Sequence, residues 1–143
     1  MPKFSKSWSP LAAAVALAFA GAYSSASFGA DVKVSLGGDQ ENPPVTTMAK
    51  GSGTVMIGDD MSVKGSVTTT GVTATAAHIH MAPAGKNGGV IVPMVKMGDS
   101  GWGFAPDAKL NADQMKAFKA GELYVNVHSA ANPGGEIRGQ LKP

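Results

Sequence analysis

GELYVNVHSAANPGGEIRGQL, residues 121–141, alternates apolar and polar side chains in two runs separated by a break of Pro, Gly and small residues. Alternation with a period of two marks a strand with one face buried, and two such runs around a turn read as a β-hairpin. The pattern predicts strands over 122–128 and 136–141, joined by Ser129–Gly135. Pro133 and Gly134 match the two central positions of a type II turn, because Pro presets its φ and Gly accepts a positive one. Parity puts Leu123, Val125, Val127, Ile137 and Leu141 on a core face, with Tyr124, Asn126, His128, Glu136, Arg138 and Gln140 on the other. A symmetric register sets His128 opposite Glu136 and Asn126 opposite Arg138.

Working back from this hairpin, the same short alternating runs recur between Gly- and Pro-rich breaks. Asp31–Leu36 reads as a first strand, followed by the turn-rich GGDQENPPVTT. Thr54–Ile57 and Met61–Thr68 form a hairpin around Gly58, Asp59 and Asp60. Val72–Met81 is a further strand, and Val90–Met97 another, with Pro93 marking a sheet edge or a bulge. One segment departs from the period of two. Within 106–121, Asn111 and Gln114 have the spacing of a capping box, Leu110 and Met115 that of a hydrophobic staple, and Gly121 is the stop. This predicts a helix of about two turns, with Met115 and Phe118 facing the sheet. The expected fold is all-β: a Greek-key or immunoglobulin-like sandwich, or a small barrel, of about seven short strands with one short helix.

At the N-terminus, Lys3 and Lys6 precede the apolar run Leu11–Ala20 and a stretch of small and polar residues. That order is the layout of a secretory signal peptide, and the apolar run is too short for the roughly 20 residues of a membrane span. Residues 1–30 are expected to be the leader, cut between 26 and 30, leaving 31–143 as one periplasmic or secreted domain without a membrane span. Of twelve basic and ten acidic residues, Lys3 and Lys6 go with the leader, so the mature part is formally neutral. It carries no basic patch for nucleic acid. With no Cys in the chain, no disulfide can support the domain.

Three blocks, VSLGGDQENPPV, TAAHIHMAPAG and the C-terminal GELYVNVHSAANPGGEIRGQL, resemble the CHRD domain family, named after chordin and found in many exported bacterial proteins. The resemblance spans essentially the whole mature part. It implies an all-β, immunoglobulin-like domain but no particular activity.

All three histidines of the chain lie in these blocks. His78 and His80, two apart on a strand, project from one face, and His128 ends another strand. Two imidazoles from one strand and a third from a neighbour make a three-nitrogen site suited to copper or zinc. Glu136, facing His128, is a candidate fourth ligand or a carboxylate that orients the imidazole. The plainer alternative is that the histidines bond loop backbone and that Asn126, His128, Glu136 and Arg138 form a polar ladder on a solvated face. Met81, Met94 and Met97, near the histidine block, admit a copper–thioether variant or ordinary core filling.

Motifs for catalysis are absent: no Cys nucleophile, Gly-x-Ser-x-Gly elbow, phosphate loop or His-Glu-x-x-His helix. The expected function is a non-enzymatic binding module for an unassigned protein or glycan partner. The alternatives are a copper or zinc protein using His78, His80 and His128, or a redox enzyme resembling superoxide dismutase. The last has too few histidines for a two-metal site.

Overall fold

The computed structural model describes Pro2 and residues 29–143. The expected leader therefore lies almost wholly outside the described residues. These form nine strands, a 3-10 turn at Gly38–Gln40 and one α-helix, α1 (Ala112–Lys119). The strands are β1 (Ala30–Gly37), β2 (Lys50–Ile57), β3 (Val63–Thr70), β4 (Ala74–Met81), β5 (Val90–Pro93), β6 (Val95–Met97), β7 (Gly101–Gly103), β8 (Leu123–Ser129) and β9 (Ile137–Leu141). No helix among the described residues is long and apolar enough to cross a membrane.

All pairings are antiparallel, in the single order β5-β4-β8-β9-β1-β2-β3-β7-β6. Its two edges, β5 and β6, are separated in the chain by Met94 alone. The backbone thus steps from one edge to the other, and the sheet is a nearly closed barrel. The seam between β1 and β9 is held by one ladder pair, Gly37 with Arg138. Closure of this kind leaves little edge exposed to other chains.

The fold is all-β as the alternation predicts, with nine strands rather than about seven. Pro93 accounts for one of the extra strands. It cannot donate to a ladder, so the run Val90–Met97 breaks there and its halves join opposite edges. The other is β7, where Trp102 turns its side chain into the core between two glycines, a run too short to show alternation.

Inside lies one apolar core, with Val32, Val34 and Leu36 of β1, Val55 and Ile57 of β2, Ile79 of β4 and the inward residues of β8 and β9 all buried. Helix α1 caps one end. The Asn111 side chain accepts from the Gln114 backbone N–H and the Gln114 side chain accepts from that of Asn111, completing the capping box. After Ala120 the chain turns at Gly121 (φ 75°), with Gly121 N–H donating to Phe118 O and Glu122 N–H to Ala117 O. Phe118 is buried in the core and Met115 packs partly against it, as their spacing predicts.

One expected turn differs. Gly135 N–H donates to Asn132 O, so Pro133 and Gly134 do sit at the centre of a turn, but the positive φ (130°) belongs to Gly135. The turn is not type II. At Gly135 an added Cβ would stand 2.5 Å from Asn126 Nδ2 and 2.7 Å from Glu41 Oε1, so the glycine makes room for a buried side-chain contact.

Candidate metal centre

Strands β4, β8 and β9 lie side by side, and their outward faces build the site. On β4 and β8, His78 pairs with Asn126, His80 with Tyr124 and Ala76 with His128. On β8 and β9, Asn126 pairs with Arg138, the expected register, and Tyr124 with Gln140. His78 is therefore the diagonal neighbour of His128, and His80 lies two residues further along the same face of β4. One ring nitrogen of each histidine lies within 4.8 Å of the others. A bond of about 2.0–2.1 Å from each nitrogen to one ion requires spacings of about 3.4 Å, so the widest pair would draw in by a little over an ångström.

Two of the imidazoles are already oriented. His80 Nδ1 lies 2.9 Å from Gly88 O, and His128 Nδ1 lies 2.9 Å from Pro133 O. A carbonyl oxygen only accepts, so each Nδ1 carries the proton and each Nε2 keeps its lone pair. His128 Nε2 accepts from His78 Nδ1 at 3.1 Å. His80 Nε2 is buried without any hydrogen-bond partner, in a side chain 7 % exposed. A buried acceptor left unmatched costs about 1–3 kcal/mol, unless something absent from the protein's own atoms satisfies it. Burial, then the neighbouring histidines, hold His78 below its usual pKa. Burial chiefly lowers that of His80, with His128 and Arg138 adding to the effect against the opposing pull of the Gly88 carbonyl. Neutral imidazoles are the form that binds metal.

The face around the histidines is not solvated, which overturns the polar-ladder expectation. Tyr124, Asn126 and Arg138 are all buried, because the segments 38–47 and 82–89 fold over them. Tyr124 lies between its neighbours: the His80 ring stacks on it at 5.0 Å and 9°, and Arg138 Cζ sits 3.4 Å from its ring centroid. Its hydroxyl accepts from Gly88 N–H at 3.0 Å and approaches Gly88 O at 3.4 Å. Gly88 thus anchors both Tyr124 and His80, and a Cβ there would lie 1.9 Å from Met81 O. The Arg138 guanidinium donates to Asn87 Oδ1, Pro83 O and Gln140 Oε1. Asn126 donates to Glu41 Oε1 and to Ile137 O. Burial raises the Glu41 pKa, against the opposing effects of Asn126 and Arg138.

Glu136 is not brought to the histidines. Its carboxylate accepts from Thr47 Oγ1 at 2.7 Å, while its backbone N–H continues the ladder to Val127 O. The polar partner of His128 is instead the Pro133 carbonyl, five residues along the same hairpin. The three methionines part as well: Met94 enters the core, Met97 lies exposed on β6, and Met81 pairs with Leu123 at the end of β4. Glu41 and Asn87 carry no strand pattern, and only the shortage of other partners for a buried Asn126 and Arg138 would have pointed to them.

The family profile of the CHRD domain matches residues 32–141, from the third residue of β1 to the last residue of β9. No curated protein and no solved structure compared with the chain matches it. The three sequence blocks that carry the resemblance are those that supply Glu41, the histidines and the β8–β9 hairpin, and the profile takes in every strand described except the first two residues of β1. The chain belongs to the CHRD domain family.

Proposed function

We propose that this protein is an exported, non-enzymatic CHRD-domain binding module whose ligand is a copper or zinc ion held by His78, His80 and His128. The observation that carries the reading is the matched orientation of His80 and His128. Each Nδ1–H is tied to a backbone carbonyl, and the Nε2 of His80 is buried and unpartnered. Carbonyls behind metal-bound histidines fix the tautomer and raise the basicity of the ligand nitrogen. All-nitrogen sites suit copper and zinc ahead of magnesium or calcium. The leader-like N-terminus supports a periplasmic or secreted setting, where such a site meets metal outside the cytoplasm.

The test is the metal content of the processed protein purified without chelator or metal-affinity resin, beside His80→Ala with its fold checked by circular dichroism. One equivalent of copper or zinc, lost in the variant, is the expected result. No metal in either, and added copper or zinc bound no more tightly than by a surface histidine pair, would overturn it. The search would then turn to protein or glycan partners.

A further inference from the structure

We infer that the three-histidine centre leaves one coordination position open and that a small exogenous anion fills it. This rests on the metal reading above and adds what completes the coordination. Tetrahedral zinc needs a fourth ligand, and sites with three protein ligands give that position to water or to a substrate. Around these histidines the neighbouring polar side chains are hydrogen-bonded to other partners. Glu136 accepts from Thr47, and Glu41 accepts from Asn126. The Tyr124 hydroxyl is engaged with Gly88, and the Asn126 amide donates to Glu41 and Ile137. Among the described residues no fourth His, Asp or Glu joins the cluster, and the chain has no Cys.

Charge then selects the class of ligand. Three neutral imidazoles leave the full charge of a bound cation unneutralised, in a site where burial weakens solvent screening. The buried Arg138 adds positive potential, since its guanidinium lies 3.4 Å from the Tyr124 ring on which His80 stacks. An anion relieves both, and a neutral ligand relieves neither. Access is from the His78 side: His78 is only partly buried, whereas His80 is closed over by Gly88 and Tyr124.

The test uses the processed protein loaded with one equivalent of Co(II), whose visible bands report coordination, titrated with sodium azide against sodium perchlorate as a non-coordinating control. A saturable one-to-one change with azide, absent with perchlorate and with cobalt retained, is expected. Cobalt retained with bands unmoved by azide, or cobalt stripped by it, would overturn the open position while leaving the metal site standing. Failure of cobalt, copper and zinc alike to bind would remove the metal reading itself and this inference with it.

Discussion

The two halves of the barrel line the same core but treat their outer faces in opposite ways. Strands β1, β2 and β3 alternate, with Val32, Val34, Val55, Ile57, Val63 and Val67 inward and mostly exposed Lys, Ser, Thr and Met side chains outward. Every residue of β8 is buried, and so is nearly all of β9. The apolar faces of the two halves are alike. What differs is that water covers one outer face and two loops cover the other, over a set of side chains that would be at home in solvent. Burying polar groups contributes little net stability even when they are fully paired. A fold that needed only a core would have no use for Arg138, Asn126, Glu41 and His80 buried under loops, and departures of this kind gather at functional sites.

That contrast can be broken at its most committed residue. Arg138→Ala removes three hydrogen bonds and the contact with Tyr124 and leaves a cavity, so urea denaturation should show a loss of about 3–5 kcal/mol. Arg138→Met keeps much of the volume and removes a buried charge, and should cost clearly less. Next is Asn126→Ala, which strands the buried Glu41 carboxylate and the Ile137 carbonyl and should cost about 2–3 kcal/mol. Equal losses for Thr68→Ala on the water-facing side of β3 would abolish the distinction. That substitution should stay within about 0.5 kcal/mol.

A pH series sharpens the comparison further. His78 and His80 are held below their ordinary 6.5, so the unfolded chain binds protons there more readily than the folded one. In the absence of metal, their contribution is complete above about pH 6.5 and is lost as the pH falls through the lower folded-state values. The stability difference between the parent protein and His80→Ala should therefore shift against the parent as the pH falls below about 6.5. Glu41, raised above 4.5, acts in the opposite sense, since its contribution is present at low pH and fades as the pH rises. Apart from the Thr68 control, the smallest effect is remote from both faces: Asn111→Ala removes the cap of α1 and should cost about 1 kcal/mol, with metal binding unchanged.

Much of this architecture is legible in the chain because one-sided burial leaves a period of two. The β8–β9 register, the α1 cap and the shared face of His78 and His80 all follow from spacing alone. Burial by a loop leaves no such trace. Residues 38–47 and 82–89 read as turns, and nothing in GGDQENPPVTT or APAGKNGG announces that they cover a strand face. For that reason the surroundings of Tyr124 and Arg138 looked solvated, and Glu136, rather than the Pro133 carbonyl, looked like the partner of His128. Main-chain acceptors belong to every residue and so have no sequence signature. Met94 and Pro93 are a related case, where a continuous apolar run conceals a step between the two edges of a sheet.

The most direct test of the central claim is electron paramagnetic resonance of the processed protein loaded with one equivalent of Cu(II), with the coupled nitrogens counted. Three imidazole nitrogens, falling to two in His128→Ala, is the predicted result. The same nitrogen count in both proteins, or copper bound as readily after all three histidines are replaced, would contradict it.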